Sequence, residues 1–429
     1  MLKYLLPLFL IGPSAFSQEV CISLNEAIEK AKNYSPEIKL QSNQIEKAQL
    51  ERRSILGRAL PNVSTSYGIN HYIERPVISG FSLNSKFERT FDFTIRQALF
   101  SFGALSGGLS AAKVALGVAN LQKEMATRDI TYATKVAYYS SLLAKKQLEI
   151  SNTSLQNAKD NLKLLQRYFS SGRPPQGDLI RLQADIASRK SQLEEAVYNQ
   201  KLAHTQLRTL LGIDNSTSVQ LTDEFKSNYS EINVLEMKED LKKNQPQLQA
   251  LEKQIEYHEE LSRVQNSKLY PRLDAVFNYS SSDRSDAGVF SRDSNVNSAA
   301  IGVTLTWDIW SGGTNRADYQ KALVDRSRAE IVLAQQRDQL LSQFDAKVDE
   351  YNTLRTNLSN DKQSVLLAEQ SFRLSQNKFK TGKVSVTDLN NNEALLTQAK
   401  LSQALHQYQI AESLATIRRL VSIQSGETK

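Results

Sequence analysis

The sequence predicts a mixed α and β membrane protein whose chain repeats one structural unit, and three observations lead to this fold class. First, residues recur at an offset of 210, so that Pro36 returns as Pro246 and Asp178 as Asp388. Second, each copy contains two segments of about ten residues in which apolar and polar side chains alternate. Third, each copy continues into a very long helical stretch without proline. Copies of this length indicate a pseudo-symmetric protein rather than an array of small repeats.

The first element is a predicted secretory signal at residues 1–17. Lys3 supplies a positive charge, a short apolar core follows, and Ser17 offers a small residue at the cleavage point. A buried N-terminal strand or helix is the alternative interpretation. Only Cys21 remains after cleavage, so an internal disulfide is impossible. Residues 18–20 lack the small side chains of a lipid-attachment signal.

The composition argues against one class of partner. The formal net charge is +7 and the sequence pI is about 9.1, with basic and acidic residues interleaved along the chain. This pattern predicts solvated helix faces. No basic cluster with interleaved aromatics points to nucleic acid. Beyond Ser17 we expect no membrane-spanning helix, so the exported chain would be soluble or would enter a membrane as strands.

The first repeat, residues 18–222, contains a short helix and two strands. The helix begins at Pro36 and ends before Pro61, because proline suits the first helical turn and interrupts a helix interior. The side-chain period then switches to two and predicts strands at about 62–72 and 90–100, joined by a polar loop.

A helical hairpin follows the strands. A long helix is predicted from about 109 to 169, and a turn rich in glycine and proline forms a tip at about 170–178. A return helix runs from Asp178 to about Leu211, where Gly212 stops it.

The second repeat, residues 223–429, has the same order of elements. Its strands are predicted at about 272–282 and 299–310, and its hairpin tip at about 380–388. The apolar faces of corresponding strands agree under the offset, because Phe93 maps onto Val303.

The two faces of each strand differ in polarity, and the strands have the length of tilted transmembrane β-strands. A soluble sheet with one wet face is the alternative. The rest of the chain is helical, however, and supplies no second sheet to cover the apolar face. The side chains that we expect to face lipid are Phe93, Ile95, Val303 and Leu305. Those that we expect to face the lumen are Asp92, Thr94, Arg96, Thr304 and Thr306.

Four strands cannot close a barrel, and an open sheet edge is not tolerated in lipid, so the chain is predicted to oligomerise. Three copies would give a 12-stranded antiparallel β-barrel, which is an even number within the usual range. At about 1.5 Å per residue, each long helix spans roughly 90–100 Å, and the two shorter helices end to end nearly match it. Heptad spacing along these helices predicts a long α-helical coiled-coil barrel.

Short motifs mark the ends of the elements, and they recur in the second repeat, where the echo of the first motif, around Leu241 to Pro246, is looser. They include Leu24-x-x-Ala27-x-x-x-Ala31 before Ser35-Pro36, Phe100-Ser101-Phe102-Gly103 and Trp310-Ser311-Gly312-Gly313 after strands, and Asp-Leu six residues after Gly172 and Gly382. In this order and spacing they resemble the TolC-type outer-membrane efflux proteins. The resemblance covers essentially the whole mature chain.

The resemblance implies a homotrimeric channel of the Gram-negative outer membrane that extends into the periplasm. Such a channel is the passive exit duct of a tripartite efflux or type I secretion system, and its periplasmic tip opens like an iris. The implied partners are a periplasmic adaptor (membrane fusion) protein, an inner-membrane pump or ABC exporter, and outer-membrane lipid.

The resemblance also implies residues for the tip. Asp388 lies six residues after Gly382, where the family places an aspartate of its selectivity ring, and the second ring aspartate falls at Asn391. A ring of like charges favours a bound cation, so we expect multivalent cations to block at Asp388, weakly because Asn391 is neutral. Asp178 matches in the first repeat, but its spacing equally fits a helix cap. Gly172 and Gly382 are expected to contact the adaptor.

Closure of the tip is expected to depend on packing. Phe169 and Phe379 stand where the family has a polar latch. Apolar contacts would then replace hydrogen bonds between the hairpins.

No pattern in the chain indicates catalysis. The four histidines are scattered without metal-ligand spacing, and there is no Walker loop and no nucleophile elbow. We therefore expect no enzyme activity and no cofactor.

The remaining alternative is a periplasmic coiled-coil adaptor or a structural protein of the cell envelope. An adaptor would need one hairpin flanked by β-rich domains, whereas this chain has two hairpins and four predicted strands.

Overall fold

The computed structural model describes residues 19–75, 77–78, 81–82, 85–168, 176–214, 217–290 and 295–421. The predicted signal at 1–17 lies outside the described residues. The elements in chain order are β1 (Glu19–Ile22), α1 (Leu24–Tyr34), α2 (Pro36–Gly57), β2 (Asn62–His71), β3 (Val77–Ile78), β4 (Phe81–Ser82), β5 (Phe87–Phe100), α3 (Ala104–Tyr168), α4 (Gln176–Leu211), β6 (Ser218–Leu221), α5 (Val234–Asn244), α6 (Pro246–Ser267), β7 (Arg272–Ser285), β8 (Asn295–Thr306), α7 (Thr314–Lys380) and α8 (Val386–Leu420).

Corresponding elements of the two repeats begin at the same offset. The pairs whose first residues differ by 210 are α1 and α5, α2 and α6, β2 and β7, α3 and α7, and α4 and α8. Helix-capping residues explain why α1 and α5 begin at corresponding positions. The side chains of Ser23 and Asn233 accept the backbone N–H of Glu26 and Glu236 and so cap α1 and α5.

Compact units cut across the two repeats. One unit, the sheet unit, comprises Leu40–Glu124 and Pro246–Asp338. The other, the hairpin unit, takes the described residues up to Lys39, Met125–Gln245 and those from Gln339 onward. Each unit therefore draws elements from both repeats.

The sheet unit contains a four-stranded antiparallel sheet in the order β2-β5-β7-β8. The register aligns Val63, Ile95, Phe277 and Ile301 in one row across all four strands. Because side chains alternate between faces, this register places one apolar and one polar face on the sheet. On the apolar face, the large apolar residues of the edge strands are between 57% and 86% exposed, and they are Val63, Tyr67, Ile69, Ile301, Val303 and Leu305.

The strand bounds differ from the prediction at the loop end of the sheet. β7 extends to Ser285 and β8 begins at Asn295, four residues before the predicted start, because Asp283 pairs with Asn295. β8 then ends at Thr306, since its partner strand begins at Arg272, directly after Pro271. The loop between β2 and β5 also contains the short pair β3 and β4, which the sequence pattern missed.

In the sheet unit α3 lies between α2 and α6. A Cβ at Gly108 would meet Ile55 of α2 at 3.7 Å, and one at Gly107 would meet Val264 of α6 at 3.1 Å. The helix α6 also contacts α7, because Arg337 of α7 lies 3.5 Å from Glu252 of α6. The order of helices is therefore α2, α3, α6 and α7.

One helix corrects the expectation that no segment after Ser17 could span a membrane. Within the described ranges, the stretch Ala104–Arg167 is long and apolar enough by length and composition alone. A Cβ at Gly107 would meet Val264 at 3.1 Å and the carbonyl oxygen of Glu260 at 3.2 Å, so close packing against α6 explains why this position is small.

The hairpin unit has a core at the base of its helices. The short strands β1 and β6 pair in parallel and pack with α1 against α3 and α4. Tyr138 of α3 is fully buried there, and its hydroxyl bonds Ile22 O at 3.1 Å and Asp223 Oδ2 at 2.8 Å. Burial raises the pKa of the Tyr138 phenol, so the group remains a neutral donor.

Candidate gate at the helical hairpin tips

The second hairpin turns over five residues between α7 and α8. Gly382 has a φ of 68°, which glycine adopts without strain. Its N–H bonds Phe379 O at 3.0 Å, and the N–H of Lys383 bonds Lys378 O at 3.0 Å, which closes the end of α7. A Cβ at Gly382 would meet nothing within 4 Å. The glycine is therefore required by backbone conformation and not by crowding within the chain.

Asp388 does not cap α8, although it has the same spacing from Gly382 as Asp178 has from Gly172. The cap is Ser385, whose hydroxyl accepts the backbone N–H of Asp388 at 3.1 Å and donates to the Asp388 carboxylate at 2.7 Å. Serine is a strong cap, and an acidic group in the first turn is favoured by the helix dipole. Asp388 thus lies inside the first turn with its side chain exposed.

One turn further, Asn391 is exposed on the same side of α8 as Asp388. Its neighbour Asn392 holds this turn in place. The Asn392 amide donates to Asp388 O at 2.8 Å and to Ser375 Oγ at 2.8 Å, and its oxygen accepts the hydroxyl of Ser371 at 2.8 Å. Asn392 therefore ties the turn that carries Asp388 to α7, and the sequence reasoning did not identify it.

Residues 169–175, between α3 and α4 of the first hairpin, lie outside the described residues, and they include Phe169 and Gly172. Asp178 does not cap α4, because the helix already includes Gln176. It occupies the first turn, as Asp388 does in α8. The two aspartates therefore have equivalent helical positions.

Apolar side chains join the two hairpins near their ends. Leu165 of α3 and Leu182 of α4 pack against residues of α7 and α8 in one buried cluster. The other fully or nearly buried members are Phe372, Phe379, Val386, Leu389 and Leu396. Phe379 thus contributes packing at the second tip. Beside the cluster, Arg181 donates to the Thr387 hydroxyl.

A buried ion pair joins α4 to α8 beside this cluster, because Glu393 lies between the cluster residues Leu389 and Leu396 of α8. Arg189, which is 7% exposed, pairs with Glu393, which is 1% exposed. Arg189 also bonds Asp185 at 2.8 Å and the hydroxyl of Ser154 on α3. Thr397 donates to Glu393 at 3.2 Å. Three helices from both repeats therefore meet at one buried polar cluster, which the sequence reasoning missed.

The sheet register separates the residues predicted for lipid and for lumen. Phe93, Ile95, Val303 and Leu305 share one face of the sheet. Asp92, Thr94, Arg96, Thr304 and Thr306 share the other. Which face contacts lipid stays a prediction.

Metal-ligand geometry is absent from the described residues, which contain no group of three His, Cys, Asp or Glu side chains able to hold an ion. The cation expected at Asp388 would instead need like residues from several copies of the chain.

Comparison with known proteins supplies the family. A family profile described as "Outer membrane efflux protein" matches residues 27–213 and 238–422, one match in each repeat. No curated protein matches the chain by sequence. Among solved structures, the outer membrane protein VceC from Vibrio cholerae is 18% identical, with a TM-score of 0.80 over 92% of this chain and 95% of that one.

Two further solved structures are similar. The CmeC outer membrane channel of Campylobacter jejuni is 14% identical, with a TM-score of 0.78 over 94% of this chain and 87% of that one. The open state of the Neisseria gonorrhoeae MtrE outer membrane channel is 15% identical, with a TM-score of 0.75 over 92% and 88%. At these identities the likeness establishes the fold.

Proposed function

Because the chain belongs to the outer membrane efflux protein family, we propose that it forms a trimeric channel in the outer membrane of a Gram-negative cell. Its function is that of a passive exit duct in a tripartite efflux or type I secretion system. The family is one of transport proteins and not of enzymes. Since the family match covers both repeats, a coiled-coil adaptor is no longer the competing explanation.

The observation that carries the proposal is that each open edge strand of the sheet adjoins, along the chain, an outermost helix of the sheet unit. The sheet ends in β2 on one side and β8 on the other. The helices end in α2 and α7, which are the helices that precede β2 and follow β8. Both edges expose apolar side chains between 53% and 67%, and these are Leu40 and Leu50 on α2 and Val324 and Ile331 on α7.

Closure of these edges needs further copies of the chain. If β8 and α7 of one copy meet β2 and α2 of the next, the contact is head to tail, and repeating it closes a ring. Three copies give 12 strands, four from each, and leave no strand edge in lipid. The same contact covers the exposed apolar residues of α2 and α7.

The polar face of the sheet then lines the lumen, and the apolar face meets lipid. Charges on the apolar face support this assignment, because the ion pair of Arg89 and Asp283, 2.8 Å apart, lies at the loop end of the strands. Arg89 also stacks on Phe290 at 4.8 Å. Such groups suit the headgroup level of a membrane.

The hairpin tips serve as the periplasmic gate in this proposal. Asp388 of each copy forms the charged ring, and Asn391 leaves the second position neutral. Gly172 and Gly382 mark the surface for a periplasmic adaptor, which connects the channel to an inner-membrane pump or ABC exporter. Support comes from the exposure of Asp388 and from the open space at Gly382. Crosslinking in cells from a cysteine introduced at Lys383 would capture the adaptor.

Cell fractionation tests the proposed location and function. The protein should sediment with outer membranes, migrate in gels differently before and after heating, and give single channels in planar bilayers after extraction. Recovery in the soluble periplasmic fraction, without conductance in bilayers, would overturn the proposal.

A further inference from the structure

The polar face of the sheet carries charges of both signs, and most of them are paired within the chain. At the loop end, Arg284 lies 3.0 Å from Glu88. At the other end, Arg272 lies 2.7 Å from Asp274, which is only 4% exposed. These four groups present little net charge to solvent.

Two charges on the same face stand apart from these pairs, namely Asp92 and Arg96 of β5. The neighbours of Asp92 in the register are Ser66 and Ser280, and its only hydrogen bond in the described chain is from Ser66 at 3.4 Å. Arg96 lies between Asn62 and Val276 and is exposed. No ion pair or hydrogen bond to its guanidinium occurs among the described residues. Both charges therefore face the space next to the polar face of the sheet without an ion-pair partner among the described residues.

Their spacing keeps them from neutralising each other. Four residues along a strand correspond to roughly 13 Å, which exceeds the Debye length of about 8 Å at physiological salt. A solute that moves along this face would meet one sign and then the other. In a ring of copies, each position repeats around the lumen as a band of one charge.

We propose that Asp92 and Arg96 form two charge bands of opposite sign in the barrel lumen, and that their balance lets both anionic and cationic solutes pass. The inference rests on the proposed function, because it needs the polar face to line the lumen. It adds a specificity determinant at the barrel, separate from the aspartates of the tips. Removal of one band leaves the other to select by charge.

A thiol between the bands provides the test. Ser64 on β2 lies opposite Thr94, halfway between the levels of Asp92 and Arg96. The probe is Ser64→Cys in a Cys21→Ser background, treated in intact cells with an anionic and a cationic methanethiosulfonate. The matched control is Thr65→Cys, one residue away on the opposite face. The introduced thiol at position 64 should react with both reagents, and the control should not.

The ratio of the anionic to the cationic reaction rate then measures the net charge that the two bands place near residue 64. At physiological salt, Arg96→Gln should lower the anionic rate relative to the cationic rate by about threefold, and Asp92→Asn should raise it by a similar factor. The charge-conserving variants Arg96→Lys and Asp92→Glu should leave the ratio near its starting value. If the thiol reacts but the ratio does not change, or moves in one direction for both variants, the charge bands are overturned. If the control reacts and the probe does not, the face assignment in the proposed function fails instead.

Discussion

The sheet unit and the hairpin unit bury their apolar residues in opposite ways. Ile301 and Val303 of the sheet are 86% and 62% exposed, whereas Leu182 and Leu389 of the hairpins are 0% exposed. Polar groups show the reverse arrangement, because Arg189 and Glu393 are buried between hairpins while Thr304 and Thr306 are exposed on the sheet. The hairpin unit thus has its own core, whereas the sheet unit leaves large apolar side chains exposed, and under the proposed function lipid and further copies cover them.

The largest predicted effect is a loss of local stability in the hairpin unit when its buried ion pair is broken. Arg189→Met leaves Glu393 as a buried charge without its partner, so local stability should fall by about 3–5 kcal/mol. The double variant Arg189→Met with Glu393→Leu should recover most of this loss. Native-state hydrogen exchange of α4 and α8 measures both. An equal loss in the single and double variants would show that the ion pair is not what matters at this position.

The next effect concerns the apolar face of the sheet, which no other element of the sheet unit covers among the described residues. Ile301→Arg places a charge in a row that is apolar across all four strands. Insertion should cost about 2–4 kcal/mol, and the yield of outer-membrane protein should drop sharply. Ala300→Arg lies at the same depth opposite Asn278 on the polar face and should be tolerated. Equal tolerance of the two variants would contradict a lipid-facing apolar row.

A smaller effect concerns the exposed charge of the hairpin tips. Multivalent cations on the periplasmic side should block conductance in planar bilayers, and Asp388→Ala should relieve the block several-fold. Asn391→Asp should tighten it by adding a second charged ring. A block that survives Asp388→Ala unchanged would place the cation elsewhere.

The smallest effect is a pH dependence in the hairpin unit. Burial lowers the pKa of His204 below its ordinary value, and the charges of Arg208 and Lys145 act in the same direction. The unfolded chain therefore binds this proton more readily than the folded one below about pH 6.5. The stabilising contribution is present above that pH and is lost on acidification. Between pH 7.5 and 5.5, the melting temperature should fall less in His204→Gln than in the wild type. An equal fall in both proteins would show that His204 does not contribute to the pH dependence of stability.

Periodicity explains what could be predicted from the sequence. Alternation in β5 and β8 identified both faces of the sheet, since each side chain reports its own face without knowledge of its partner. Proline at positions 36, 61, 246 and 271 marked the helix bounds, because its ring excludes it from helix interiors. These signals are local, so they survive without the tertiary structure.

What the sequence did not reveal depends on distant partners. Arg189 and Glu393 each look like an ordinary solvated charge on a helix, and only the packing of α4 against α8 buries them. The strands β1 and β6 have four residues each and pair across almost half of the chain. At the tips, Ser385 was a stronger cap than Asp388 because it stands immediately before the first helical residue.

The central claim is that three copies close one barrel through β2 and β8, and crosslinking across these edges tests it most directly. Ser64 and Ala300 lie in the same row at the two edges of the sheet. Because the register between copies of a closed barrel is staggered, Ser64→Cys is combined in turn with a cysteine at each polar-face position of β8, which are Val296, Ser298, Ala300, Gly302, Thr304 and Thr306. Each double variant, in a Cys21→Ser background, is treated with a short bismaleimide in outer membranes, and the pair that reacts is followed. The account predicts bands of one, two and three chains and nothing larger, while either single variant shows no three-chain band. A series that ends at two chains, or that continues beyond three, would contradict it.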